Sequence, residues 1–341
     1  MIVMNSTPTS YFILSAYIDI GLLKYVVFVF LLCFYILSMF SNLLLIVVIC
    51  MNRSLHEPMY LFLCSLFVNE LYGATALFPL LLTQVLSDVH ILPRPLCFLQ
   101  LYCLHTYGSI EYVLLGVLSY DRYLAICCPL QYNSRMTAST ISRLVAAAYS
   151  WGTITCIIMI CLSSSLKLCG NVIQKVYCDN YSVVRLACSE TNIINIYGLI
   201  ITFFNILFPL VLILFSYIKI LLICLSGCKQ SRKKVYSTCM PHLVSLINYS
   251  FGVSFEIVQS RFNMTTMPIT FRIFMSLYWL TIQLLLNPLM YGFYLSKIRL
   301  ILQNLPLPRL ILEERCKLDS HLMSSRRTHT HTHTHTELTV T

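Results

Sequence analysis

The stretch Ser119-Tyr120-Asp121-Arg122-Tyr123-Leu124-Ala125-Ile126-Cys127-Cys128-Pro129-Leu130 decides the fold. An acid, a base and an aromatic ring close a long apolar run that leads into Pro129. This places Asp121 and Arg122 where a membrane helix reaches water, and a charge at the edge of a bilayer is costly enough to imply a function. The rest of the chain agrees. Of its 341 residues 58% are hydrophobic and only 11% charged, against roughly 25% charged in soluble domains. The composition is that of a polytopic membrane protein. The net charge of +10 collects in loops of one side, as membrane topology requires, so no nucleic-acid partner is expected.

A helix needs about 20 largely apolar residues to cross the bilayer core. Runs of that kind fall at 25–50, 58–86, 97–127, 141–163, 193–224, 236–260 and 270–295, which predicts an all-α membrane protein built as a seven-transmembrane-helix bundle. Arg53, Arg135, Arg143, Lys229, Arg232, Lys233 and Lys234 share one side. Its short loops are the more basic, so the N-terminus is expected outside and the C-terminus in the cytoplasm. Asn5-Ser6-Thr7 is a glycosylation sequon that fits an outside N-terminus; Asn180-Tyr181-Ser182 is a second. The expected organisation is an extracellular segment 1–24, a membrane domain 25–305 and a disordered tail 306–341. Within that tail, Thr and His alternate strictly from Thr328 to Thr336, as a repeated CA dinucleotide would encode. The other reading of this tract is metal binding by its histidines.

Cys97, Cys169, Cys178 and Cys188 fall near the outer surface, where bridges persist. Four cysteines allow three pairings, and the residues alone do not choose among them. Glu70 and Glu111 lie mid-run; an acid inside a membrane is a functional candidate. Two together suit a hard cation, which prefers oxygen ligands. Pro288 frees backbone groups in the seventh run, and Asn287 beside it is equipped to satisfy them.

The opening stretch resembles the longer Asp-Arg-Tyr signature of olfactory receptors, within the rhodopsin-like G-protein-coupled receptors. Lys234-Val235-Tyr236-Ser237-Thr238-Cys239-Met240-Pro241-His242-Leu243 is similar to that family's sixth-helix signature, and Asn287-Pro288-Leu289-Met290-Tyr291 to its Asn-Pro-x-x-Tyr motif. Pro58-Met59-Tyr60 and Asn42 also fit. The matches run in order across most of 25–300. The wording Val68-Asn69-Glu70-Leu71-Tyr72-Gly73 looks more like a fish member than a mammalian one.

The resemblance implies bridges Cys97–Cys178 and Cys169–Cys188, a sodium ion at Glu70 and Glu111, and no other cofactor. It implies a G-protein switch at Asp121, Arg122, Tyr123, Tyr217, Lys234, His242, Asn287, Pro288 and Tyr291. The chain departs from the family pattern at Ser41, Pro241, Ser250 and Tyr294. Ser250 stands where an aromatic ring is usual, and these departures with the odd tail leave room for a decaying gene copy.

Leu104, His105, Gly108, Ser109 and Tyr112 share one face of the third run. By resemblance that face lines the odorant pocket, with Thr202 and Asn205 from the fifth run and Val253, Ser254 and Ile257 from the sixth. Arg261 is read as a solvated helix end. Leu104 stands where amine receptors carry Asp, which argues against a biogenic amine. The expected function is an odorant receptor of the plasma membrane, multi-pass among its lipids, that binds a small molecule and activates a heterotrimeric, olfactory-type stimulatory G protein to raise cyclic AMP. A transporter would need internal repeats, and none is visible. An enzyme would need convergent catalytic groups; His90, His105 and His242 lie on different elements, so no enzyme is expected. A peptide or lipid receptor of the same fold is the nearest rival.

Overall fold

The computed structural model describes residues 10–226, 229–262 and 267–304, with the side chains of 224–238 set aside. Asn5 and the Thr–His tail lie outside these residues, as does the side chain of Lys234. The chain divides into two compact units, Met1–Leu295 and Ser296–Thr341. The described part of the second contains a single helix, α11 (Ser296–Gln303).

The first unit is built from α1 (Leu23–Met51), α2 (Pro58–Leu86), α3 (Arg94–Cys127), the short α4 (Pro129–Arg135), α5 (Ala138–Ser164), the short α6 (Asn180–Val184), α7 (Asn192–Thr202), α8 (Phe208–Ser226), α9 (Lys229–Arg261) and α10 (Ile269–Tyr294). The π-helical turn Phe203–Leu207 joins α7 to α8 without a break, so α7 and α8 form the fifth span. α5, α9 and α10 are the fourth, sixth and seventh. Prolines set several starts, because Pro suits the first helical turn, where its missing N–H goes unused. Pro58 opens α2 and Pro129 opens α4. At α5 Thr137 caps the helix, its hydroxyl accepting from the Thr140 N–H at 3.3 Å.

These helices turn apolar side chains outward and enclose a set of polar ones within an apolar core. On α1, Phe30, Phe40 and Leu43 are exposed while Ser38 and Asn42 are buried. Asn69, Glu70, Glu111, Gln283 and Asn287 are fully enclosed. Water would favour the reverse arrangement; in hydrocarbon the polar groups must find partners within the protein. Among the described residues, five helical segments are apolar and long enough to cross a membrane: Leu23–Met51, Pro58–Leu86, Ala138–Ser164, Asn192–Ile223 and Ile269–Tyr294. α3 and α9 fall short in hydropathy, not length, at 34 and 33 residues, or about 50 Å each. They carry buried ionisable residues, Glu111 and Asp121 on α3 and His242 and Glu256 on α9, and with them the seven expected spans are present.

At the disulfide-bearing end the all-α expectation is amended by a small sheet. Strand β1 (Tyr11–Leu14) lies between β2 (Ile91–Pro93), antiparallel with Phe12 opposite Leu92, and β3 (Val172–Ile173), parallel with Ile13 opposite Val172. Phe12, Leu14, Leu92, Leu101 and Ile173 pack with Cys97 and Cys178 into one buried cluster. Burying each large apolar side chain contributes about 1.5–3 kcal/mol. Cys97–Cys178 and Cys169–Cys188 are bridged, with Cα separations of 5.5 and 5.3 Å. The loop between α5 and α7 is thereby tied down on the top of α3.

Candidate functional site

Beneath this loop lies a cavity of about 220 Å³ between α3, α5, α7, α9 and α10. His105, Gly108, Ser109 and Tyr112 line it from α3, Thr202 and Asn205 from the fifth span, and Val253 and Ile257 from α9. Two predicted lining residues do not. Leu104 is buried outside the cavity wall, and Ser254 is exposed on the far side of α9. A helix turns 100° per residue, so Val253 and Ile257 share a face that Ser254 leaves.

Asn205 owes its role to the π turn, a distortion that recurs at functional sites. From there its Nδ2 donates to Ser109 Oγ at 3.1 Å, and its Oδ1 accepts from Trp151 Nε1 at 2.6 Å. Three helices meet at this one side chain. Tyr249, beside the unusual Ser250, supplies the aromatic ring of α9. It is buried, lines the cavity and donates from its hydroxyl to Gly108 O at 2.9 Å. Ser250 Oγ instead bonds Tyr112 OH at 2.7 Å. Arg261 lines the cavity mouth, its guanidinium 5.0 Å from the centre of the Tyr181 ring. Asn180 of the second sequon is engaged too: its Oδ1 accepts from Ser163 Oγ at 2.5 Å.

The sequence reading passed over the most polar feature of this site. Lys175, Asp179 and Glu256 are all more than nine-tenths buried. The Lys175 ammonium pairs with Glu256 Oε1, lies 3.2 Å from Asp179 Oδ2 and donates to Ser260 Oγ at 3.3 Å. Tyr177 OH donates to Glu256 Oε1 at 3.1 Å, and Ser276 Oγ to Glu256 Oε2 at 3.0 Å. Trp279 Nε1 donates to Tyr177 OH at 3.2 Å. Burial alone depresses the Lys175 ammonium, but Asp179, Tyr177 and Glu256 outweigh it and hold it above its ordinary pKa. Removing one partner of such a buried ion pair costs about 3–5 kcal/mol. The signal was present: Glu256 is an acid within an apolar run, like Glu70 and Glu111. The loop partners were illegible, because nothing local says where a disulfide-held loop folds back.

Deeper in, a polar column joins α1, α2, α3, α9 and α10. Asn287 Nδ2 donates both to Glu70 Oε1 and, at 3.0 Å, to Glu111 Oε1. Asn69 Nδ2 donates to Glu111 Oε2 at 2.9 Å. Ser245 Oγ of α9 donates to Asn287 Oδ1. Pro288 deprives the Leu284 carbonyl of its helical partner. Asn42 Nδ2, not the adjacent Asn287, supplies the replacement at 2.9 Å. Glu70 Oε2, Asn69 Oδ1 and Asn42 Oδ1 are buried acceptors without a hydrogen-bond partner among the described residues. Such a donor-poor oxygen set suits a hard cation.

At the opposite end Arg122 Nε donates to Asp121 Oδ2 at 2.9 Å, and Tyr132 OH donates to Asp121 Oδ1 at 2.8 Å. Asp121 is fully buried, and Tyr123 beside the pair is half-buried. Tyr291 OH bonds His242 Nδ1 at 3.1 Å across α9 and α10. The Tyr217 hydroxyl is buried with no hydrogen-bond partner among the described residues.

A model of the olfactory receptor family matches residues 31–307. Human olfactory receptor 10A6 is 32% identical over 90% of this chain and 98% of its own length. Mouse olfactory receptor 5M5 is 34% identical over 71% of this chain and 77% of its own. The crystal structure of squid rhodopsin superposes with a TM-score of 0.68 at 16% identity, covering 83% of this chain and 80% of that one; at that identity the likeness concerns the fold.

Proposed function

The chain belongs to the olfactory receptor family, and from that premise we propose that it is an odorant receptor that takes a small ligand in the cavity beneath the disulfide-held loop and activates a stimulatory G protein, raising cyclic AMP. Its family and its membrane-length helices make it a multi-pass protein of the plasma membrane. In the proposed orientation the disulfide-bearing end faces outside, where Asn5 carries a glycan, and Arg122 and Lys234 face the cytoplasm.

The observation that carries the reading is that α9 serves both ends. Tyr249, Val253 and Ile257 line the cavity. On the same helix Ser245 bonds Asn287, and His242 bonds Tyr291. A ligand that prefers one position of α9 therefore biases the contacts at the opposite end. No more than a difference in affinity between two states is needed. Asp121, positioned by the Tyr132 hydroxyl, holds Arg122 in reserve, and release of Arg122 toward a G-protein helix is the proposed output. In cells carrying a stimulatory G protein and a trafficking chaperone, agonist-driven cyclic AMP is expected from the natural receptor and lost in Arg122→Ala at equal surface labelling. A full response in that variant would overturn the mechanism.

Glu70 and Glu111, with the amide oxygens of Asn69 and Asn42, would hold the sodium ion. Its single positive charge would offset one of the two carboxylate charges and lessen their mutual repulsion, and it would fasten α1, α2 and α3 in one state. Purified receptor is expected to melt higher in sodium chloride than in choline chloride of equal ionic strength, with the difference abolished in Glu111→Gln. Equal melting in the two salts would remove the ion from the account.

A further inference from the structure

The Lys175 cluster is one cation short. Two buried carboxylates, Asp179 and Glu256, share a single ammonium. All three ammonium hydrogens of Lys175 have acceptors, in Glu256, Asp179 and Ser260. Both oxygens of Glu256 are met, one by Lys175 and Tyr177 and the other by Ser276. Asp179 is different. Its Oδ2 faces Lys175, but its Oδ1 is buried with no hydrogen-bond partner among the described residues, and the residue lines the cavity at 7% exposure. A buried carboxylate oxygen left unpaired is costly, and a partner brought by a ligand recovers that cost.

His105 adds a second acceptor on the same cavity. Its Nδ1 must donate to the Leu101 carbonyl at 3.0 Å, so the neutral ring offers a lone pair at Nε2. Arg261, the other cation on the cavity wall, stands exposed at the mouth over Tyr181 and leaves Asp179 Oδ1 unpartnered. Tyr112, Tyr249, Trp279 and Ile257 give the wall an aromatic and aliphatic stretch, beside the polar Ser109, Thr202 and Asn205, of which Ser109 and Asn205 already bond each other. A small, largely apolar body ending in a positively charged N–H donor matches the charge of Asp179 and the hydrogen-bond need of its unpartnered oxygen. Resting on the receptor reading above, we propose that the ligand is a small primary or secondary amine whose ammonium binds the Asp179 carboxylate, which turns about its side-chain torsions to bring the enclosed Oδ1 to the cavity. Leu104 on α3 had argued against an amine; here the acid is delivered by the loop that Cys97–Cys178 holds down.

The test is ligand-induced stabilisation of the purified full-length receptor, which requires no G protein. The probes are butyl-, cyclohexyl- and phenylethylamine, with the matching alcohols, carboxylates and trimethylammonium salts. The amines are expected to raise the melting temperature most. The alcohols lack the charge and the trimethylammonium salts lack the N–H, and each loss is expected to weaken binding about tenfold. Asp179→Asn, which keeps the shape, is expected to lose the preference for amines. If that variant fails to fold, the comparison of amine with trimethylammonium salt decides alone. Alcohols or carboxylates binding as tightly as amines, or an undiminished amine preference in Asp179→Asn, would overturn the proposal. The same holds if no probe raises the melting temperature. Amines that stabilise the receptor without raising cyclic AMP would leave this site standing and overturn the signalling reading. A different series that both binds and signals would do the reverse.

Discussion

A Cβ at position 252 would lie 2.8 Å from Trp279 Cβ and 3.0 Å from Trp279 Cα. Backbone atoms cannot step aside, so Gly252→Ala must push α9 away from α10. Overpacking of this kind costs about 1–3 kcal/mol, and the variant is expected to melt lower and reach the cell surface poorly. Unchanged melting and surface labelling would mean the two helices are not in fixed contact. Gly108 makes the contrast. A Cβ there would meet the ring end of Trp279 and the hydroxyl of Tyr249, each at 3.1 Å, which are tips of side chains that can rotate. The same change at 108 should therefore spare the fold and shrink the cavity. At this scale the departure at Ser250 also resolves. The ring the family pattern places there is supplied by the neighbouring Tyr249, whose hydroxyl reaches Gly108, while the smaller Ser250 makes room for a bond to Tyr112.

Among the elements, the spans were legible and the strands were not. A membrane helix writes a long apolar run into the sequence, and Pro58 marks a start that the structure keeps. Strands of two to four residues carry too little periodicity to be read. They exist because β1 finds partners far away in the chain, at Leu92 and Val172. The same limit hid the Lys175 cluster, whose members come from a loop, α9 and α10, whereas the α3 face was readable because its residues share one helix. β1 is nevertheless integral to the fold, since Phe12 is completely buried against Leu92, Ile173 and the Cys97–Cys178 bridge. Phe12→Ala is expected to cost about 3–5 kcal/mol and to loosen the loop that roofs the cavity. Proteolysis should then cut more readily between Cys169 and Cys188. A variant as resistant as the natural protein would show that the strand merely rests on the loop.

For the whole molecule, the question is how the cavity and the opposite end come to share one equilibrium. Thermodynamics requires that if G protein tightens the ligand by some factor, the ligand tightens G protein by the same factor. Factors of about 5–150 are usual. Among the described residues α9 and α10 bond each other from His242–Tyr291 to Glu256–Ser276, and between these lies the link to the polar column. Ser245 Oγ reaches Asn287 Oδ1, and Asn287 in turn holds both Glu70 and Glu111. Gln283 Nε2 donates to the Ser245 carbonyl at 2.7 Å, a bond that the side chain at 245 does not affect. Ser245→Ala therefore removes the hydroxyl's bond to Asn287 Oδ1 and its longer 3.4 Å contact with Gln283 Oε1, and leaves the backbone contact in place. Ser245 does not line the cavity, so ligand affinity without G protein should stay within about twofold, while the lost hydrogen bond of roughly 0.5–1.5 kcal/mol should cut the coupling factor by up to about tenfold. Ligand binding to purified receptor with and without G protein gives both numbers. A coupling factor untouched by the substitution would mean that α9 speaks to the G-protein end by another route. A ligand affinity that falls together with it would mean that Ser245 shapes the cavity and does not transmit from it.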